Sequence, residues 1–306
     1  MTQSVRIGLD VGATNTHAVA VRGTDRRVLA EVTHSTGYGN DGLTRTLHSV
    51  IDDVRTPLDD HQIESIGVGV PGLVNRLDGT VSHAVNVGVD FFPIADVIRN
   101  HVSVPVYVEN DVNVAALGAA SLYNALDSLA FLNIGTGIAA GFVTAGKLHS
   151  GTHGSAGEIG HYPVRGNDTQ CSCGQVGCLE TVASGSGIAH QWNTTSPTPE
   201  EDLIEHAHSG DVIAVAILEE LARGIASAIE LIAVTWDPAK IALGGGLTTI
   251  SWPVESEVQR ILADRARSSA FVETLQLPQR VVVVPPELAI APRGAALLSG
   301  STLISL

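Results

Sequence analysis

Arg6-Ile-Gly-Leu-Asp-Val-Gly-Ala-Thr-Asn-Thr-His-Ala-Val-Ala-Val-Arg22 is two apolar runs around a polar, glycine-containing centre. Arg6 to Val11 carries the pattern of a buried strand, Asp10 to Thr16 that of a tight turn, and His17 to Arg22 that of a returning strand, which together make a β-hairpin. The figure recurs at Leu129 to Thr144, where Gly135-Thr136-Gly137 takes the place of the turn. This echo predicts two related lobes, each offering a loop to a shared ligand. Around the two hairpins, helical periodicity covers 43–54, 92–99, 111–122, 211–235, 253–267 and 291–298, and strands are predicted at 63–70, 104–108, 240–243 and 280–284. Strands alternating with helices predict an α/β fold. The expected division is an N-terminal lobe over 1–112, completed by a C-terminal helix over 291–306, and a C-terminal lobe over 113–290, with 193–201 read as a polar Pro/Thr linker.

The composition narrows the functional classes. Of 306 residues, 44% are hydrophobic and 16% charged, so the chain can bury a large core and is not disordered throughout. A formal net charge of -15 makes nucleic acid an unfavourable partner, because phosphate backbones need a basic face. It does not oppose ATP, which requires only a local cradle of backbone amides and a metal ion. No apolar run approaches the roughly 20 residues of a membrane span, and the N-terminus lacks the apolar core of a signal peptide. A cytoplasmic protein with no membrane partner is expected.

Five groups of residues carry chemistry. His161, Cys171, Cys173 and Cys178 follow the pattern His-x9-Cys-x-Cys-x4-Cys, three thiolates and one imidazole that complete a tetrahedral set for structural zinc. A redox pair is the other reading, to which the Cys-x-Cys spacing is a poor fit. In the first hairpin turn, Gly12 permits close approach of a phosphate, Thr14 and Asn15 offer donors, and Asp10 can hold a magnesium ion through water. Thr136 and Gly137 offer a second loop of the same type, and Gly244 to Gly246 follow a strand where a flat ligand such as adenosine could lie close. Finally, Glu109-Asn110-Asp111 stands at a strand end before a helix. An ionised Asp111 in that first turn could accept a proton from an attacking hydroxyl, but Asn110 or Asp111 could equally serve only as the helix cap. Spacing leaves both readings open.

With these residues in view, the chain resembles the ROK family of bacterial sugar kinases and related repressors. The resemblance rests on LDVGATNT (9–16), GVGVPGLV (67–74), VENDVNVAALGA (108–119), the run from Ile134 to His161, CSCGQVGCLE (171–180), ALGGGL (242–247) and APRGAALL (291–298), in family order. It implies a hexokinase/actin-like (ribonuclease H-like) fold of two lobes around an interlobe cleft. It implies ATP and Mg2+ on the loops of Asp10, Gly12, Thr14, Asn15, Thr16, Thr136 and Gly137, with adenosine near Gly245 and Gly246. It implies Asp111 as catalytic base and a sugar held by Gly72, Asn86, Asn110, Asp111, Glu158, His161 and Glu180, His161 also serving the zinc. Homodimers or larger homo-oligomers are the family-level expectation.

Three departures bear on this. Ala13 and Asn15 stand where the family commonly reads Gly and Lys, removing a positive charge near the phosphates, and Asn86-Val-Gly-Val89 lacks the usual Trp. Ala139-Ala140 replaces glycines in the second loop. The expected activity is phosphoryl transfer from ATP to a hexose or (N-acetyl)hexosamine. The alternatives are a repressor of the same family, disfavoured by the acidic charge and by a first strand already under way at Val5, and a sugar sensor with little or no kinase activity.

Overall fold

The computed structural model describes residues 4–58, 61–249 and 254–299. The chain divides into two compact units: Met1–Asp127 with Gly141–His149 and Ala289–Leu306, and Ser128–Ala140 with Ser150–Leu288.

The first unit is built on β1 (Ser4–Val11), β2 (Asn15–Arg22) and β3 (Val28–Ser35), an antiparallel meander. After α1 (Gly39–Arg55), β4 (Gln62–Val70) joins β1 in parallel. A small antiparallel sheet follows, β5 (Leu73–Asn75), β6 (Thr80–Ala84) and β7 (Val89–Phe92). Then α2 (Ile94–Val102) leads to β8 (Val106–Asn110), parallel to β4, and α3 (Asp111–Leu122). The main sheet has the order β3-β2-β1-β4-β8. Ile7, Leu9, Leu43, Leu47, Ile51, Ile66, Val68 and Val108 belong to one buried cluster on it.

The second sheet has the order β11-β10-β9-β12-β13, from β9 (Ser128–Ile134), β10 (Ile138–Thr144), β11 (Lys147–Leu148), β12 (Lys240–Gly244) and β13 (Val281–Val283). The repeat predicted from the two hairpins thus extends to whole sheets: each continues its hairpin with one strand on the outer side and two parallel strands on the inner. The helices of the second unit are α4 (Gly185–Gln191), α5 (Pro199–His208), α6 (Val212–Trp236), α7 (Val254–Ser268), α8 (Ala270–Thr274) and α9 (Leu277–Arg280). The predicted linker 193–201 in part belongs to α5, and the predicted helix start at Pro253 lies outside the described residues.

The last helix, α10 (Ile290–Ala296), returns to the first unit and lies on its sheet at backbone contact. A Cβ at Gly8 of β1 would stand 1.8 Å from the Pro292 carbonyl oxygen, and one at Gly67 of β4 would stand 1.8 Å from that of Ala295. A Cβ at Gly118 of α3 would stand 1.9 Å from the Ile290 carbonyl oxygen, so α3 packs into the same layer. This is why the first unit extends to Asp127 and not to 112: α3 has its packing partners there. It also takes back Gly141–His149, which the predicted boundary assigned elsewhere. Of the expected helix over 291–306, residues 300–306 lie outside the described residues.

Candidate active site and metal clip

In the first unit the site forms at the carboxyl ends of the parallel strands. The register sets Asp10 of β1 beside Gly69 of β4, and Gly69 beside Glu109 of β8. Gly69 is small for a reason: a Cβ there would stand 2.3 Å from Val114 Cγ2, so α3 comes down directly onto it and carries Asp111 above the sheet edge. Burial and the neighbouring Asp111 raise the Asp10 carboxyl from 3.8 to about 7. Asp111 is raised too, by burial, against hydrogen bonds from the Val112 amide, its own amide and the Asn110 side chain that favour its charge. Two enclosed carboxylates that resist joint ionisation are a donor set short of positive charge. A divalent cation held by Asp10 fits that deficit.

Asn110 is the N-cap of α3. Its Oδ1 accepts from the amides of Val112 at 2.9 Å and Asn113 at 3.4 Å, while its Nδ2 donates to Asp111 Oδ1 at 2.8 Å. Of the two readings left open by the spacing, capping therefore falls to Asn110. The predicted sugar contact from Asn110 has to share an amide already engaged at both ends. Sequence reasoning gave no role to Glu109, which is buried and holds the corner together. It accepts from Arg76 Nε at 2.5 Å and Nη2 at 3.1 Å, from the Asn110 amide at 2.8 Å and from Asn113 Nδ2 at 3.0 Å.

The first loop is closed by the Gly12 amide on the Asn15 carbonyl at 2.9 Å, with Thr14 and Asn15 exposed. Thr16 differs from its expected part. Its side chain is fully buried and its hydroxyl meets that of Thr36 at 2.9 Å, so it braces the loop and does not present a side-chain donor. Gly72, at φ +103, turns the chain out of β4, and Asn86 is exposed on the 3-10 turn Val85–Val87.

In the second unit, Thr136, Gly246, Leu247 and Thr249 line a cavity of about 780 Å3 together with Thr198, Glu200, Glu201, Ile204, Glu205 and His208. The loops expected to hold phosphate and adenosine thus share one cavity, and its size suits a nucleoside. Gly245, at φ +98, sits against the Ile134 carbonyl, and Gly246 has no atom within 4 Å of where a Cβ would be. The acidic wall contributed by α5 went unread in the sequence. Its signal was there: Thr198 followed by Pro199 and three acidic residues is a helix start.

Glu180, expected on the sugar, is placed against the second loop. Its Oε2 accepts from the Ile138 amide at 3.3 Å and lies 2.5 Å from where a Cβ on Gly137 would be. Glu158 is exposed at the start of a 3-10 turn over Ile159–His161. That turn is pinned to β10, since the Ala140 amide donates to Gly157 O at 2.8 Å and any side chain at Gly157 would strike Ala140 O.

The turn delivers His161 to the cysteines. The four ligand atoms of His161, Cys171, Cys173 and Cys178 all lie within 4.8 Å of one another, with His161 Nδ1 3.9 Å from Cys171 Sγ and Cys173 Sγ 3.7 Å from Cys178 Sγ. A tetrahedron with 2.3 Å zinc–sulfur bonds has edges of about 3.8 Å, so the set matches structural zinc. The Cys171 amide donates to Gln175 O at 2.8 Å, and the Gln175 side chain donates through Nε2 to His161 O at 2.6 Å, so hydrogen bonds within the loop hold the ligands together.

The ROK family pattern matches residues 6–282. The chain belongs to the ROK family. It is 31% identical over 228 residues to a glucokinase of Halalkalibacterium halodurans, covering 67% of this chain and 69% of that one. It is 26% identical over 306 residues to a xylose repressor of Caldicellulosiruptor bescii, 91% of this chain and 76% of that one. Its structure matches a ROK family glucokinase from Streptomyces griseus, solved with glucose and AMPPNP, with a TM-score of 0.72 and 26% identity over 95% of this chain and 98% of that one. The α/β architecture read from the two hairpins is thus the ROK kinase fold. Among the described residues no helix is long and apolar enough to cross a membrane.

Proposed function

We propose that this chain is an ATP-dependent sugar kinase that transfers the γ-phosphoryl group to a hydroxyl of a hexose or (N-acetyl)hexosamine. The observation that carries the reading is Asp111: a carboxylate at the start of α3, partly desolvated, oriented by Asn110 and not consumed as the helix cap. Its raised pKa makes it a better proton acceptor than an exposed aspartate, while the hydrogen bonds it receives keep it competent to ionise. Asp111 takes the proton of the attacking hydroxyl as the bond to phosphorus forms. The loop of Gly12 and Thr14 in the first unit and the loop of Thr136 and Gly137 in the second would each supply amide and hydroxyl donors to phosphate. Mg2+, held by Asp10, would neutralise charge on the β- and γ-phosphates. Gly72, Asn86, Glu158 and His161 would read the sugar, with zinc fixing the turn that carries Glu158 and His161, while Glu180 holds the second loop.

The acidic lining of the 780 Å3 cavity bears on the donor. Glu200, Glu201 and Glu205 would repel a chain of phosphates there, yet can accept from the hydroxyls and amino group of a nucleoside. A nucleoside triphosphate is therefore favoured over inorganic polyphosphate, even with Asn15 in place of a lysine.

A regulator is the second reading, favoured by the repressor's likeness over 91% of this chain. A coupled assay of ADP release over a panel of hexoses, aminosugars and their N-acetyl forms separates the two. The kinase reading expects saturable turnover with at least one sugar, and a fall of roughly 10²–10⁴ in turnover for Asp111→Asn. Sugar binding without turnover would leave the regulator, and retained turnover in the variant would remove Asp111 from its role.

A further inference from the structure

The corner that carries Asp111 is tied to a piece of chain with no part in the chemistry assigned so far. Arg76 stands in the turn between β5 and β6. Its guanidinium forks onto the carboxylate of Glu109 at the end of β8, Nε on Oε2 at 2.5 Å and Nη2 on Oε1 at 3.1 Å. The Glu109 side chain is 1% exposed and that of Arg76 25%.

Neither end of this pair is loose. The turn is braced from within: Asn75 Nδ2 donates to Asp78 Oδ2 at 2.9 Å, the Leu77 amide to Asn75 Oδ1 at 3.0 Å and the Thr80 amide to Asp78 Oδ1 at 3.0 Å. The Ala95 amide, in the first turn of α2, donates to Gly79 O at 3.0 Å and docks the turn on that helix. At the other end, Glu109 Oε1 also accepts from the Asn110 amide at 2.8 Å and from Asn113 Nδ2 at 3.0 Å. These two residues are the cap of α3 and a buried position one turn in. Asn110 in turn donates through Nδ2 to Asp111 Oδ1. One path of hydrogen bonds therefore runs from Arg76 through Glu109 and Asn110 to Asp111. The small sheet at its start is the one that carries the expected sugar contacts: Gly72 immediately precedes β5, and Asn86 lies between β6 and β7.

Support of the cap does not by itself call for an ion pair. The neutral amide oxygen of a glutamine at 109 would accept from Asn110 and Asn113 as well. Burying a carboxylate with a guanidinium gives no assured gain in stability over neutral packing. What the fork adds is direction, since two parallel N–H···O bonds fix the plane of the carboxylate as well as its distance. Proton transfer from an attacking hydroxyl demands that kind of precision, where a misplacement of ~1 Å costs about a hundred-fold in rate.

We infer that Arg76 is a positioning residue for phosphoryl transfer: through Glu109 it sets the place of Asp111 relative to the sheet that carries Gly72 and Asn86. The inference rests on the kinase reading and deepens it. Arg76 itself touches neither the transferred group nor the proton.

The test compares kcat, KM and thermal unfolding for wild type, Arg76→Ala, Arg76→Lys, Glu109→Gln and the double variant Arg76→Ala/Glu109→Gln. The double variant is expected to regain stability lost in Arg76→Ala, because no charge is left buried alone. Its kcat is nevertheless expected to stay roughly ten- to a hundred-fold below wild type, with KM for ATP changed by less than about two-fold. Arg76→Lys keeps the charge without the fork and should fall between wild type and the double variant in kcat. Should Arg76→Ala fail to fold, Glu109→Gln and the double variant decide on the same readouts. A double variant that recovers wild-type kcat along with its stability would make the pair a packing device only and overturn the inference. A wild type that turns over no sugar would instead sink the kinase reading, and this inference with it, before any variant is compared.

Discussion

Replacing Asp10 by Asn should stabilise the protein, and increasingly so as pH rises. The unfolded chain ionises Asp10 around 3.8, whereas burial and the Asp111 charge hold the folded carboxyl near 7. Below pH 3.8 the group is neutral in both states and costs nothing. As pH climbs towards 7 the unfolded state gains a favourable charge that the folded state resists, so stability is lost through that window. With these two values the cost is about 1 kcal/mol at pH 4.5 and about 4 kcal/mol at pH 8. The side chain keeps some contact with water, so about half of the upper figure is expected, or ~2 kcal/mol, and hence roughly 4–8 °C in Tm. The assay is thermal unfolding of wild type and Asp10→Asn in metal-free buffer at pH 4.5 and pH 8. A gain independent of pH, or a loss at pH 8, would refute the reasoning. Added Mg2+ should raise the Tm of wild type and leave the variant unmoved, because the cation supplies the charge that the carboxylate pair lacks.

Arg76→Ala strands the buried Glu109 and is expected to cost about 2–4 kcal/mol in chemical denaturation; adding Glu109→Gln should recover part of it, and strict additivity of the two changes would show that they do not act as a pair. Metal analysis should return about one zinc per chain. Chelation or Cys173→Ser should weaken sugar binding more than nucleotide binding, since the clip carries Glu158 and His161, and equal loss of both would make zinc a support for the whole unit.

What could be read ahead of the structure was whatever is local and periodic. The hairpin at Arg6 to Arg22 and its echo at Leu129 to Thr144 are contiguous, so alternation and glycine spacing reported them directly. The zinc ligands span only 18 residues, and their chemistry is rare enough to stand out. Glu109 was invisible for the opposite reason: its partner Arg76 is 33 residues away, and only the β5–β6 turn brings them together. The short strands β5 to β7 carried too few residues for a period to show. Thr16 looked like a donor because a hydroxyl beside a glycine loop reads the same whether it faces a ligand or Thr36. Glu180 lies beside Gly137 through tertiary packing that no spacing reveals.

The contact of α10 with Gly8 and Gly67 has a consequence for synthesis. The sheet of the first unit is translated early, but the helix that covers its glycine face comes some 160 residues after Asp127. At about 5–20 residues per second, that face waits on the order of ten to thirty seconds on the ribosome without its lid. The second unit, inserted in between, needs only the short return through Gly141–His149 and can close first. A released chain truncated after Leu288 should therefore show a protease-resistant second unit beside an unprotected first one.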